Sequence, residues 1–533
     1  MLQVQNLTIT HKKDNHLLLS DASFVIGDGA KTVLIGEEGN GKSTLLQLIH
    51  DPSLVADYIT YTGAIRKNGH ITGYLAQEAT EEALNSPVYA LLPAEADHET
   101  LIDACRTVGI PLDTLYSDRL LRTYSGGEKV KIRLSLMLAT APDLLLLDEP
   151  SGDLDLSALT WLERFIRDCP LPVVFISHDE TLIENCATSI LHLEQTMRKT
   201  VPRCTFVRQT YAEYREAREG ALRKNAQLVE KERAEFRQKM EKYRQILQKV
   251  EHQQNVISRG DPHGAALLKK KMHAVKSMGR RFEREEANQT KRIDTEDAIL
   301  MRFAENISLP AGKTILSYHA DSLAAPDGRI LAGEIDLTVY GGEKVCLIGK
   351  NGAGKTTLLR EIAAQLLRRT DIHAAYMPQN YSDNMDFTET PIAYLTPTLD
   401  GSREAYSRIC TFLGSVKFTA DEMQHPIADL SGGQKAKLYF MKMILSGADT
   451  LVLDEPTRNF SPLSQPVVRE VLSGFGGTII AVSHDRYFIN RLADRIYAFK
   501  NGRLVEYKGN YDYFLCFSHL RFLLLQCFQA AER

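Results

Sequence analysis

Tryptophan occurs once in the 533 residues, and no stretch reaches the roughly eighteen uninterrupted apolar residues of a membrane helix, so a spanning chain is not expected. Cysteine never falls in a C-x-x-C pair. The eight cysteines, at 105, 169, 186, 204, 346, 410, 516 and 527, lie mostly in apolar stretches, which suits buried thiols in a reducing compartment and leaves a structural zinc without obvious ligands. Met1-Leu2-Gln3-Val4-Gln5 opens into a strand-like pattern with no basic n-region or cleavage site, so the chain is read as cytoplasmic rather than secreted. Glycine (34) and proline (19) are too few for a fibrous or low-complexity class. What is present, 44% hydrophobic and 25% charged residues, is ordinary for soluble globular proteins, and the length suggests three or four domains at about 100 to 200 residues each.

The net charge of −4 hides an uneven distribution. Residues 221–290 hold 17 Lys and Arg against 9 Asp and Glu, a net of +8, which leaves 47 against 59, or −12, for the remainder. A basic segment thus separates two acidic ones.

Sliding the chain against itself exposes a duplication. Gly36-Glu37-Glu38-Gly39-Asn40-Gly41-Lys42-Ser43 answers to Gly349-Lys350-Asn351-Gly352-Ala353-Gly354-Lys355-Thr356, at an offset of 313. Ser125-Gly126-Gly127, Leu147-Asp148-Glu149-Pro150 and Ser177-His178-Asp179 recur as Ser431-Gly432-Gly433, Leu453-Asp454-Glu455-Pro456 and Ser483-His484-Asp485, all at an offset of 306. Short apolar runs such as Lys31–Ile35, Leu144–Leu147 and Val173–Ile176 alternate with helical patterns, so each copy is predicted to be α/β with a buried parallel sheet. Between the copies, Leu222, Val229, Phe236, Tyr243 and Val250 recur every seven residues, with Ala226, Met240 and Leu247 four after three of them and a break at Arg233. That is a coiled-coil seam. Ser258–Gly264 supplies breakers, after which Leu268, Val275 and Phe282 resume the spacing, so an antiparallel helical hairpin is predicted with a first arm of roughly 65 Å. The expected organisation is a first cassette over 1–205, a helical linker over 206–300 with its tip near 258–264, a second cassette over 301–511, and an apolar tail over 512–533.

G-x-x-x-x-G-K-[ST] is a phosphate cradle, in which backbone N–H groups turn inward, the following helix adds positive potential, the lysine reaches the terminal phosphates and the hydroxyl binds Mg²⁺. It occurs twice, each time after a strand pattern and before a helical one. The apolar strands ending in Asp148-Glu149 and Asp454-Glu455 supply paired carboxylates, one to hold Mg²⁺ through water and the next to activate attacking water. An apolar run ending in Asp-Glu is by itself usually only a strand exit; its repetition downstream of two phosphate loops reverses that reading. His178 and His484, each closing another apolar strand, can contact a γ-phosphate.

The order of phosphate loop, Gln77, Ser125-Gly126-Gly127, Asp148-Glu149 and His178, repeated with Gln379, Ser431-Gly432-Gly433, Asp454-Glu455 and His484, resembles the ATP-binding cassette superfamily. Two cassettes without a membrane segment, a charged helical linker, Ser483-His484-Asp485-Arg486 and Gly509-Asn510-Tyr511 are similar to its F subfamily, ABC-F, whose members act on translating ribosomes. The resemblance implies ATP hydrolysis at two sites formed when the cassettes close face to face. One combines Gly36, Gly39, Asn40, Gly41, Lys42, Ser43, Thr44, Gln77, Asp148, Glu149 and His178 with Ser431, Gly432 and Gly433. The other combines Gly349, Asn351, Gly352, Gly354, Lys355, Thr356, Thr357, Gln379, Asp454, Glu455 and His484 with Ser125, Gly126 and Gly127. Mg²⁺ would be held by Ser43, Gln77 and Asp148, and by Thr356, Gln379 and Asp454.

Three features depart from that pattern. Tyr124 replaces the usual Leu before the first signature, no clear aromatic serves adenine stacking, and Phe460-Ser461-Pro462 stands where Leu154-Asp155 stands in the first copy, which predicts unequal sites. Lys269, Lys270, Lys271, Lys276, Arg280, Arg281 and Arg284, with only Glu283 among them, form an electrostatic footprint for RNA phosphates. The resemblance places such a hairpin at the ribosomal tRNA exit region, near rRNA and the P-site tRNA, in a monomer that relieves stalled translation or protects ribosomes from antibiotics. The alternative is a soluble ATPase subunit of a membrane transporter with separate spanning chains, and a third reading is a DNA-repair or chromosome-associated cassette ATPase. The apolar tail reads as a helix docked on the second cassette.

Overall fold

Strands built mainly of consecutive apolar residues end up covered on both faces. Leu144–Leu147, Val173–Ile176 and Lys31–Ile35 in the first copy, and Thr450–Asp454 and Thr478–Val482 in the second, are buried along their whole length. The computed structural model describes residues 1–152, 154–196, 201–256, 262–290, 293, 303, 307–398 and 402–516. They form two compact units, one of Met1–Tyr211 with Glu296–Arg533 and the other of Ala212–Thr295.

Within the first unit each cassette has its own sheet. The first runs Thr72–Leu75, Leu144–Leu147, Val173–Ile176, Lys31–Ile35, Ser189–Gln195, all parallel, with Val201–Val207 antiparallel at the edge. The second repeats that order as Ala374–Met377, Thr450–Asp454, Thr478–Val482, Lys344–Gly349 and Arg495–Lys500, then turns antiparallel at Arg503–Lys508. Antiparallel strands accompany each, a separate three-stranded sheet in the first copy (Leu17–Ile26, Leu2–His11, Ile59–Arg66) and in the second a hairpin (Thr314–Ala324, Ile330–Tyr340) that extends the main sheet by pairing with Arg503–Lys508 at Gly333. In both copies the strand that precedes the phosphate loop lies inside the sheet, and the helices Lys42–His50 and Lys355–Leu366 bury Leu45, Leu46, Leu48 and Ile49, or Leu358, Leu359, Ile362 and Leu366, against it. The loop is therefore held at the carboxyl end of a rigid sheet, where doubly wound folds bind ligands.

The second unit is an antiparallel helical pair, Tyr211–Val256 and Pro262–Ala287, the first about 69 Å long at 1.5 Å per residue over its 46 residues. Val229, Val250, Val275 and Phe282 are buried in it, and Phe282 meets Phe236 and Tyr243 edge to face. Gly279 makes room there for the Tyr243 ring, since a Cβ would lie 2.6 Å from its hydroxyl. Arg233 is exposed and the helix runs through it unbroken; Glu232 beside it accepts from the Thr290 amide at 2.8 Å and hydroxyl at 3.0 Å. Pro262, His263 and Gly264, expected as breakers of the tip, open the second helix instead, since proline fits the first turn of a helix. Residues 257–261 lie outside the described residues.

Residues 511–516 are helical, and Phe514 packs on Tyr507 and Tyr511 at ring separations of 5.0 and 6.0 Å. The apolar run from Phe522 to Leu525 lies outside the described residues. Among those described, no helix is long and apolar enough to cross a membrane.

Candidate nucleotide sites and basic surface

Both phosphate loops fold alike. Gly41 and Gly354 stand at the N-caps of the two following helices with φ of 81° and 102° and offer no side-chain cap, leaving the first-turn amides for another acceptor. Lys42 donates to the Gly36 and Glu37 carbonyls at 2.9 Å, and Lys355 to those of Gly349 and Lys350 at 2.8 and 3.0 Å. Ser125 and Ser431 cap the signature helices in reciprocal boxes with Glu128 and Gln434, which fixes the start of each helix at its Ser-Gly-Gly. Glu149 and Glu455 share a left-handed backbone, with φ of 47° and 51°. A glutamate there is strained, and the repetition of that strain in both strand exits marks a functional turn.

In the first cassette the predicted residues form one connected cluster. The Ser43 and Tyr74 hydroxyls donate to the two carboxylate oxygens of Asp148 at 3.0 and 3.1 Å, the Gln77 amide donates to Glu149 at 3.0 Å, and His178 Nε2 faces Glu149 at 3.2 Å. Burial raises the pKa of Asp148. Burial works the same way on Glu149, but His178, Lys42 and Arg458 more than offset it and hold the carboxyl below the usual glutamate range.

The second cassette keeps the positions and changes the electrostatics. Both carboxylate oxygens of Asp454, one of Glu455 and Nδ1 of His484 are buried without a close hydrogen-bond partner among the described residues. Glu455 is pushed up to about 8 by burial and by the adjacent Asp454, and His484 is pushed down to about 3 by burial and by Lys355. Lys355, Thr356, Thr357, Gln379, Asp454, Glu455 and His484 line a cavity of about 770 Å³ together with Gly126 of the first signature. Asn351, Gly352 and Gly354 line it as well, and Ala325 and Arg329 stand on its wall. Gln77, Glu149 and His178 reach the same space, whereas Lys42 and Ser43 do not. The open volume thus runs between residues of both expected sites, with Glu38, Gln77, Glu149 and His178 on one side and the Lys355 loop on the other.

The cassettes already meet face to face. The Gly433 amide donates to Glu38 at 2.9 Å, and the Asn351 amide to Asp155 at 3.4 Å. The Phe460 carbonyl accepts from His178 Nδ1 at 3.0 Å, and Gln465 donates to the His178 carbonyl at 2.8 Å. The turn Arg458–Ser461 thus borders the cluster that contains Lys42. Behind it lies a charge network that sequence reasoning missed. Arg469 of the second cassette, 4% exposed, pairs with Glu180 of the first and with Asp485, and Arg486 pairs with Glu163 and lies 3.6 Å from Asp179. Only Arg486 carried a sequence signal, through its place after Ser483-His484-Asp485.

On the helical pair, Lys269, Lys270, Lys271, Lys276, Arg280, Arg281 and Arg284 are all exposed. Glu285 of the second helix pairs with Lys239 of the first, so it is drawn away from the seven cations.

Duplicated phosphate loops, each facing the signature helix of the other copy across paired carboxylates, define a tandem P-loop ATPase. The ABC transporter family profile matches residues 19–152 and 332–458. ABC transporter F family member 2 of Arabidopsis thaliana is 27% identical over 558 aligned positions, covering 93% of this chain and 76% of the relative. Ribosome protection protein VmlR of Bacillus subtilis (strain 168) is 28% identical over 513, covering 92% and 86%. Among solved structures, an archaeal ribosome recycling factor in complex with the stalk protein aP1 superposes with a TM-score of 0.57 over 94% of this chain and 90% of that one, at 16% identity. The chain belongs to the ATP-binding cassette superfamily as a tandem-cassette ATPase of the ABC-F type.

Proposed function

We propose that the protein is a cytoplasmic, monomeric ATPase that acts on the ribosome, closing its cassettes around ATP and opening them on hydrolysis. The observation that carries this is the placement of each signature helix against the opposite phosphate loop, with Gly433 at Glu38 and Gly126 on the wall of the Lys355 cavity. Each ATP would lie between the two, its β- and γ-phosphates on the amides of Gly36–Thr44 or Gly349–Thr357 and on Lys42 or Lys355, its γ-phosphate read by Ser431-Gly432-Gly433 or Ser125-Gly126-Gly127. The orphaned, buried oxygens of Asp454, with the Thr356 hydroxyl and Gln379 on the same wall, fit a hard divalent cation such as Mg²⁺, and Ser43, Gln77 and Asp148 form the matching set. Mg²⁺, when bound, neutralises charge on the phosphates. Glu149 and Glu455 then orient and deprotonate the attacking water, and His178 and His484 contact the γ-phosphate.

The exposed cations of the second helix supply an RNA-binding face, which we assign to rRNA and the P-site tRNA near the tRNA exit region. The likeness to a protein named for ribosome protection supports this reading, in which the outcome is relief of stalled translation or of antibiotic inhibition. Glu149→Gln with Glu455→Gln keeps the side-chain shape and removes the base, so the closed state should accumulate. In a sucrose gradient of lysate with ATP, this variant should co-sediment with ribosomes and its expression should arrest translation. Sedimentation free of ribosomes refutes the proposal.

A further inference from the structure

At the two interfaces the acid that meets a backbone amide of the facing cassette comes from opposite sides. At the Lys355 loop the acid is Asp155, contributed by the facing cassette, and the loop residue is Asn351. At the Lys42 loop the facing cassette has Ser461 in the place of Asp155, and the loop residue corresponding to Asn351 is Glu38. The Glu38 carboxylate sits over the N-terminus of the fourteen-residue helix Gly432–Leu445, accepting from the Gly433 amide at 2.9 Å, and it lies so close to Gly432 that a Cβ there would be 3.1 Å from Oε1. Glu37 adds a second link, 3.6 Å from the buried Lys437 of the same helix. Their counterparts are Lys350 and Lys131, whose like charges cannot form that pair. The Lys42 loop is therefore tied to its facing signature helix by two carboxylates, a pairing that the Lys350 and Asn351 side chains of the other loop cannot repeat.

The amide that Glu38 occupies is one that a terminal phosphate oxygen takes when ATP is bound, on the reading given under Proposed function, on which this inference rests. We infer that Glu38 is a specificity-determining residue that stands in for the γ-phosphate at the Lys42 site, so that this site holds a nucleoside diphosphate in preference to a triphosphate. A diphosphate leaves the carboxylate in place on Gly433. A triphosphate must displace it and then share the pocket with a like charge at close range, where charges repel strongly even at moderate dielectric. The Lys355 loop, with a neutral Asn351 in the place of Glu38, carries no such discrimination.

The test uses the full chain with Lys355→Ala, so that only the Lys42 site binds, and calorimetric titration with ADP and with the β,γ-imido analogue of ATP. ADP should bind more tightly, and Glu38→Asn or Glu38→Gln should shift the ratio of dissociation constants toward the triphosphate by at least tenfold. Moving the charge by Asn351→Glu, in a Lys42→Ala background, should shift the ratio at the other site the opposite way. An unchanged ratio in both Glu38 variants, with binding still abolished by Lys42→Ala, overturns the inference and leaves the face-to-face reading standing. The triphosphate binding gained in Glu38→Asn should be lost again in Glu38→Asn with Gly433→Asp. Its survival there would mean that the signature does not read the γ-phosphate, and both the inference and that reading fall.

Discussion

Arg469 joins the two cassettes through charge, and its removal gives a measurable cost. The guanidinium is 4% exposed and pairs with Glu180, itself 2% exposed, across the interface, and with Asp485 at 3.0 Å within its own cassette. Burial alone would destabilise the guanidinium, and the two carboxylates outweigh it, so the arginine is held charged. Arg469→Ala strips both acids of that cation in a buried setting, which costs about 3–5 kcal/mol when one partner of a buried pair is deleted. At an m-value of about 2 to 3 kcal/mol/M, the urea midpoint falls by roughly 1 to 2.5 M. The sole tryptophan makes the measurement specific to the interface, because Trp161 lies in the first cassette, stacked on Phe165 and donating to the Val108 carbonyl. If Arg469 bridges the cassettes, the tryptophan fluorescence transition shifts although the substitution is in the other copy. Arg469→Met combined with Glu180→Gln, which removes charge from both sides, should recover at least half of the loss. An unmoved Trp161 transition in Arg469→Ala would show that the network stabilises only its own cassette, and the argument fails.

The single variants Glu149→Gln and Glu455→Gln should retain different rates of ATP turnover, with the larger loss in Glu455→Gln, because no carboxylate of the Lys355 loop lies on its facing signature as Glu38 lies on Gly433; equal residual rates count against this. Replacing Lys269, Lys270 and Lys271 together by Gln should lower the salt slope of log ribosome affinity by roughly two to three, at about 0.7 to 0.9 per phosphate contact, while basal turnover survives; an unchanged slope reduces the cluster to a solvated helix face. The third concerns pH. The folded pKa of Glu455, about 8, exceeds its ordinary 4.5, so the nucleotide-free fold binds the extra proton between those values and loses stability as pH rises through that window. Glu455→Gln cannot titrate, so its stability relative to the parent should climb from pH 4.5 to 8 by about 1.4 kcal/mol per unit at most; parallel pH profiles by urea unfolding without nucleotide would refute the buried, protonated carboxyl.

Much of this was readable before any coordinates because it is local. The parallel strands announced themselves as apolar runs too short for helices, and Leu144–Leu147 and Val173–Ile176 form with the ends read from sequence. The seven-residue spacing likewise located the helical seam, whose members Val229, Val250, Val275 and Phe282 are buried. What was not readable depends on pairs far apart in sequence. Nothing around Arg469 shows that it meets Glu180, 289 residues away, because a lone arginine on an amphipathic helix reads as a solvated one. Glu38 stands where the second loop has Asn351, one of several differences between the loops, and its meaning required the facing Gly433. The opposed pKa shifts of Glu149 and Glu455 follow from burial and neighbours that identical motifs do not encode.

The helical pair described above keeps its register by a few tight engagements, Tyr243 in the notch left by Gly279 and Phe282 between Phe236 and Tyr243. Because its apolar positions recur every seven residues, adding seven residues to each helix on the far side of Val250 and Leu268 would lengthen the arm by about 10 Å without disturbing any existing contact. Adding three or four would rotate the new layers off the seam. The arm is in that sense a ruler graduated in heptads, and chains sharing this architecture can differ in reach by whole graduations while the cassettes that carry it stay the same.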